Sequence, residues 1–162
     1  MNEESITRYI SDTFSGVDAQ LASQENGAPE AAWGDRFFIY DPHRNLPENH
    51  RFPFATIVTK NYAGFDEASD LNRPGVFRLN IGVSKNTFHQ LFGPASSAPE
   101  PTGSAEASRD YSVLDEIMPH PVYATQHWVS VLNPSETTFQ KIQPLLKEAY
   151  DIAVRRRSKD PR

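Results

Sequence analysis

His120-Pro121-Val122-Tyr123-Ala124-Thr125-Gln126-His127-Trp128-Val129-Ser130-Val131-Leu132-Asn133-Pro134-Ser135-Glu136 is the stretch whose reading decides the fold. Its middle, from His127 to Leu132, reads as a strand. Trp128, Ser130 and Leu132 take one face, and His127, Val129 and Val131 the other. A helix follows directly. Asn133 reads as its cap, Pro134 as its first residue and Glu136 as the capping-box partner. Phe139, Ile142, Leu146, Ala149 and Ala153 then line one side. Pro144 inside that pattern removes a backbone donor and predicts a kink or a break. An aromatic-rich strand beside the longest amphipathic helix locates the core and the way the chain closes.

Working outward, the clearest strand is Val76 to Val83. Phe77, Leu79, Ile81 and Val83 alternate with Arg78, Asn80 and Gly82, the signature of a half-buried strand. Ser84 caps a short helix ending at Phe92 and stopped by Gly93. Further strands are expected at Asp35 to Tyr40 and at Phe54 to Lys60. A first helix is expected from Glu3 to Phe14, striped by Ile6, Tyr9, Ile10 and Phe14, capped by Asn2 and stopped at Gly16. Residues 20–34 carry little apolar mass and predict a loose insert. Residues 61–74 read as turn-rich, with one helical turn near Phe65 to Leu71. Residues 94–109 predict an exposed, mobile loop, and Asp110 to Met118 a short helix. The expectation is one α+β domain over 1–157, with flexible inserts near 20–34 and 94–109 and a frayed tail at 158–162. Its architecture is a two-layer sandwich, an antiparallel sheet with helices packed on one face.

Composition narrows the chemistry. The chain has 162 residues, enough for a sizeable core, and 10 Phe, 6 Tyr and 2 Trp to build it from rings. A net charge of −5 opposes a phosphate backbone unless the cations are gathered on one face. Only Arg155-Arg156-Arg157 gathers them, and a helix end whose dipole favours cations explains that triplet as well. The absence of cysteine removes disulfides, thiolate nucleophiles and zinc–thiolate sites. The acidic start Met1-Asn2-Glu3-Glu4 has no apolar run behind it, and no stretch approaches a membrane span. These features lead to the expectation of a cytoplasmic protein.

Pro121, Tyr123, His127, Trp128, Val129 and the Ala149-Tyr150 pair resemble the closing part of the YjbR/MmcQ-like family. More broadly, the phrases Arg73 to Val83, Leu91-Phe92-Gly93, Met118 to Tyr123 and Leu132 to Ser135 are similar to a bacterial family of uncharacterised proteins. The resemblance implies a frataxin-like (CyaY-like) α+β sandwich, and the YjbR/MmcQ label implies DNA binding by analogy of fold. Frataxins hold iron on an acidic helix ridge; Glu3, Glu4 and Asp12 are too sparse here to repeat it.

Signals for specific chemistry are few. His43/His50 and His120/His127 are each seven apart, unlike the close spacing of zinc motifs, so no metal is expected. There is no Gly-x-Ser-x-Gly elbow, Walker loop or dinucleotide fingerprint, and no cofactor is implied. Arg78 and Asn80 project from one strand face. Either that face is solvated, or it is a concave floor on which Arg78 supplies a cationic fork and Asn80 a donor and acceptor. In the second case His120, Tyr123 and His127 form its wall. The leading reading is a cofactor-free domain that binds a small molecule or another protein through Arg78, Asn80, His120, Tyr123 and His127. DNA binding is the second reading. The third is an enzyme with His120 or His127 as general base, supported by Asp41 or Asp70.

Overall fold

The computed structural model describes residues 1–93 and 109–159. The expected mobile loop at 94–109 falls almost wholly outside these residues, as does the tail at 160–162. The protein is an α+β two-layer sandwich. Helix α1 (Glu3–Thr13) leads into strands β1 (Val17–Leu21), β2 (Arg36–Tyr40), β3 (Ala55–Val58) and β4 (Arg78–Gly82). Helix α2 (Lys85–Phe92), strands β5 (Met118–Pro119) and β6 (Trp128–Leu132), and helix α3 (Glu136–Lys159) complete it. The six strands form one sheet in the order β1-β2-β3-β4-β6-β5, and every pairing is antiparallel.

All three helices cover the same face. Ile6, Ile10 and Phe14 of the α1 segment, Phe88 of α2, and Phe139, Ile142, Leu146 and Ala149 of α3 pack against Phe38, Ile57, Leu79, Ile81, Val129 and Val131. The alternation expected for β4 and β6 is therefore the observed one, with the apolar sets inward. Asn2 and Ser5 cap α1 reciprocally: Ser5 N donates to Asn2 Oδ1 at 2.8 Å, and Asn2 N to Ser5 Oγ at 2.9 Å. Gly16 then turns the chain at φ +77°, where a Cβ would stand 2.8 Å from the Tyr40 ring. Ser84 caps α2, and Glu148 of α3 clamps that cap by accepting from Ser84 N at 3.0 Å and Thr87 Oγ1 at 2.7 Å.

Several expectations require correction. Residues 20–34 are not irregular throughout: Gln20 and Leu21 finish β1, which pairs along β2 from Val17–Tyr40 to Leu21–Arg36. Trp33 Nε1 donates to Ala28 O at 2.9 Å and closes the rest of that segment on itself. Residues 110–118 form turns and β5 rather than a helix, because Met118 pairs with Ser130 and Leu114 bridges Leu132. The stretch from 65 to 71 is likewise turns, not a helical turn. Asn133 does not cap α3. It takes a left-handed φ of 42° and ties down the entrance of β4, accepting from Phe77 N at 2.9 Å and donating to Gly75 O at 2.9 Å. Ser135 is the cap, its hydroxyl accepting from Thr138 N at 3.2 Å. Helix α3 runs unbroken through Pro144. Pro144 and Gln140 both lie on its exposed side, so the carbonyl that Pro144 cannot bond is left to water.

Candidate functional site

The sheet face turned away from the helices carries the site. Because strands alternate sides, one row runs straight across five of them: Phe37, Thr56, Asn80, Ser130 and Met118. Its polar centre is knitted together. Asn80 Nδ2 donates to Thr56 Oγ1 at 3.0 Å, and Asn80 Oδ1 accepts from Ser130 Oγ at 2.9 Å and from Arg78 Nε at 2.8 Å.

Arg78 and Asn80 are not a solvated face. Arg78 is 0% exposed and Asn80 2%, because the segments 59–76 and 109–117 fold over this side with Leu71 and Met118 beneath them. The Tyr62–Asp66 turn, closed by reciprocal backbone bonds of 3.0 and 2.9 Å, delivers a carboxylate to the guanidinium. Asp66 accepts from Arg78 Nη1 at 3.0 Å and Nη2 at 2.6 Å, and Ser69 Oγ accepts from Nη1 at 3.0 Å. Four of the five guanidinium N–H bonds thus meet protein acceptors. Most of the rigid fork organises the floor rather than being held out to a ligand.

The fifth N–H bond meets His120. Arg78 Nη2 and His120 Nε2 are 3.2 Å apart. On the other side of the ring, Nδ1 accepts from Val122 N at 2.9 Å and from Tyr123 N at 3.0 Å. A neutral imidazole has one proton and one lone pair. Two backbone donors claim the lone pair for Nδ1, so the proton sits on Nε2 and faces the Arg78 donor. Two donors converge there, with no acceptor between them among the described residues. Burial first, and then the neighbouring Arg78 charge, holds the His120 pKa down to about 3, with Asp66 opposing.

These groups floor a cleft of about 540 Å³. Its walls are Phe37, Phe52, Tyr62, Phe65, Tyr123 and Trp128. Phe52 and Phe65 stand at its mouth, 68% and 57% exposed. Tyr62 donates its hydroxyl to Asp35, which also accepts from Thr59 N at 2.9 Å. Burial and the Asp35 hydrogen bond push the Tyr62 pKa up, and burial raises that of Asp35, so both stay fixed as a hydrogen-bonded wall. Trp128 lies flat on the opposite strand: it is paired with Gly82, where a Cβ would come within 3.1 Å of the indole.

Four of the five residues expected at a site therefore come together here: Arg78, Asn80, His120 and Tyr123. His127 does not. It takes a left-handed φ of 67° before β6 and turns toward α2, with its ring 5.7 Å from Phe88 and 6.0 Å from His89. The carboxylates proposed to assist a histidine base are elsewhere. Asp41 is buried on Arg51 at 2.7 Å, and Asp70 lies beside Arg73 at 3.6 Å. Asp66 is the carboxylate of this site, and sequence reading passed over it, together with Thr56, Phe52 and Phe65. The one signal was an aromatic next to a carboxylate, Phe65-Asp66, in an otherwise polar turn.

Among the described residues no three His, Cys, Asp or Glu side chains gather as metal ligands. No described helix is long and apolar enough to cross a membrane. Neither a curated protein nor a solved structure matches the chain, so the resemblance to YjbR/MmcQ-like proteins rests on the quoted residues alone. A family model does match, over residues 1–162, and the chain belongs to that family, described as a family of unknown function (DUF6194).

Proposed function

We propose that this is a cytoplasmic, cofactor-free protein that binds a small, flat organic molecule in the cleft over the open sheet face. The observation that carries this reading is the contrast between the walls and the floor. The walls are aromatic and their outer members stand exposed, while the floor is a buried, pre-tied polar network. Sites for small ligands combine these features: apolar surface for burial and a few fixed polar groups for orientation. The cleft volume of about 540 Å³ lies within the usual range for such ligands. The converging His120 Nε2–H and Arg78 N–H favour a ligand that places an acceptor atom, such as a carbonyl, on the floor.

Histidine general-base catalysis fits the geometry less well. A ring held near a pKa of 3 is a poor proton acceptor at neutral pH, and the Nδ1 lone pair is already committed to two backbone donors. For the DNA-binding reading, Arg78 is buried, and in the Arg155-Arg156-Arg157 triplet Arg155 and Arg156 are exposed and Arg157 half-buried. Duplex affinity that is measurable at low salt and falls steeply as salt rises would favour that reading over ours.

N-phenyl-1-naphthylamine, an uncharged two-ring dye, tests the cleft. Its emission should rise saturably with protein. The Phe52→Ala/Phe65→Ala variant should bind it about tenfold more weakly, since each ring contact contributes on the order of 0.5–1.5 kcal/mol. Both side chains are exposed, so the variant should melt with the wild type. A dye that does not saturate, or that binds the variant equally well, overturns the proposal.

A further inference from the structure

Hydrogen bonding on the floor of the aromatic cleft is lopsided: the acceptors around Arg78 are in use, and some of the donors are not. Asn80 Oδ1 already accepts from Ser130 Oγ and from Arg78 Nε. Each oxygen of Asp66 is bonded to the guanidinium. His120 Nδ1 accepts from two backbone N–H groups. On the donor side, Arg78 Nη2 and His120 Nε2 face one another across 3.2 Å, each with a proton to give. Thr56 adds a third donor. Its oxygen accepts from Asn80 Nδ2 at 3.0 Å, and its own proton has no acceptor among the described residues. Thr56 is half-buried and lines the cleft one strand over from Asn80.

The donor pair has the dimensions of a socket for one oxygen. An atom about 2.9 Å from each nitrogen closes a nearly equilateral triangle on their 3.2 Å separation. The socket is recessed: His120 is 3% exposed and Arg78 0%, below walls whose outer rings stand in solvent. A carbonyl oxygen, one atom at the tip of a bond, suits such a recess. A hydroxyl oxygen brings a proton as well. That proton would meet acceptors already in use and be buried unpaired, which is costly. The aromatic walls set a second condition, a flat body, and a carbonyl conjugated with a ring is held in the plane of that ring.

Resting on the small-ligand reading above, we infer that the cleft selects aromatic carbonyl compounds, such as aryl ketones and quinones, over the corresponding alcohols. The ring body lies between the aromatic walls, and the carbonyl oxygen accepts from His120 Nε2 and Arg78 Nη2 together. One of the two donors is a cation, so the contact is charge-assisted and polarises the carbonyl. Thr56 Oγ1 keeps its proton for a second acceptor on the same ligand. Ring contacts alone would hold a ketone, its alcohol and the parent hydrocarbon without this order of preference.

Three compounds on one tricyclic frame test it. 9-Fluorenone carries a carbonyl, 9-fluorenol a hydroxyl on the same carbon, and fluorene neither. Each is titrated into wild-type protein holding N-phenyl-1-naphthylamine, and loss of dye emission gives its affinity. Fluorenone should bind about tenfold more tightly than either of the others. His120→Asn keeps an acceptor for Val122 N and Tyr123 N but loses the Nε2 proton, so the fluorenone-to-fluorene ratio should fall by about threefold or more. The carbonyl stretching band of carbon-13-labelled fluorenone should lie at lower frequency in the wild-type complex than in water. Should the variant not fold, that band decides alone. If the dye binds but fluorenone displaces it no better than fluorenol or fluorene, the carbonyl inference falls while the aromatic cleft stands. A ratio unchanged in His120→Asn, or a band placed as in an apolar solvent, overturns it in the same way. If the dye itself does not bind the wild type, the small-ligand reading falls and this inference with it.

Discussion

Arg78→Met lowers the stability of this protein by about 3–5 kcal/mol, the cost of removing one partner from a buried ion pair. The size follows from what remains. Asp66 is 7% exposed and loses both of its guanidinium bonds, and Ser69, at 1% exposed, loses another. Asn80 Oδ1 keeps only the Ser130 hydroxyl. Methionine fills much of the arginine stem volume, so the loss is one of charge and hydrogen bonding more than packing. The double variant Arg78→Met/Asp66→Leu should recover more than half of the deficit, because a buried pair exchanged for apolar side chains of similar volume is often nearly neutral. Urea unfolding of the three proteins measures this cycle. An Arg78→Met loss under about 1 kcal/mol would mean that the guanidinium does not hold the turn over the sheet.

The same arginine shows where sequence reading stops. The alternation through β4 identified its two faces correctly, because the period is local and Phe77, Leu79 and Ile81 fill one side of it. Whether Arg78 met water or protein depended on segments far away in the chain. Asp66 lies 12 residues before it and His120 42 after it. Neither distance leaves a periodic trace. The helix expected at 110–118 failed for a related reason. Leu114, Ile117 and Met118 have helical spacing, but Leu114 and Met118 find partners on β6, and tertiary pairing outweighs so short a pattern. Strand β1 was missed because it is an edge strand with Ala19, Gln20 and Leu21 exposed, so its pairing with β2, not its composition, makes it a strand. The caps that were read correctly, Asn2 and Ser84, are local devices with hydrogen bonds within three residues.

Four of the five candidate ligand residues converge because each was placed by a strand face or by the turn after a strand. His127 was assigned by the same logic of alternation, and its ring does point to the side opposite Trp128 and Ser130. That is the helix side, so the reading of its face was sound and its inclusion in a wall beside Arg78 was inconsistent with it. The left-handed backbone at His127, which ends the 3₁₀ turn Ala124–Gln126, then turns the chain into β6. Residues from the turn before that point reach the cleft, as Tyr123 and Gln126 do.

Acid should destabilise the wild type through His120 in a window well above the carboxylates. In the folded chain the ring stays neutral down to about pH 3, whereas unfolding returns it to the ordinary value of 6.5. Between those limits the unfolded state binds the extra proton. Stability therefore rises with pH across the window, is complete above 6.5, and is lost progressively as pH falls toward 3. From pH 7 to pH 5 the loss attributable to this residue is about 2 kcal/mol. Asp35, raised by burial, acts in the opposite sense, but it is common to the wild type and to His120→Asn and so cancels in their difference. His127, lowered by burial and then by His89 and Lys85, adds a contribution of the same sign. It is common to the wild type and to His120→Asn, and so cancels in their difference. Asparagine is the informative replacement, since its Oδ1 can accept from Val122 N and Tyr123 N as Nδ1 does. Chemical unfolding at pH 7 and pH 5 should show the wild type losing about 2 kcal/mol more than His120→Asn. Nitrogen-15 shifts of the ring should report a neutral imidazole protonated on Nε2 at both values. Parallel losses in the two proteins, or a His120 that titrates near 6.5, would mean the ring is hydrated and basic. In that case the floor is not the dry donor pair inferred here, and histidine general-base chemistry becomes the stronger reading of the cleft.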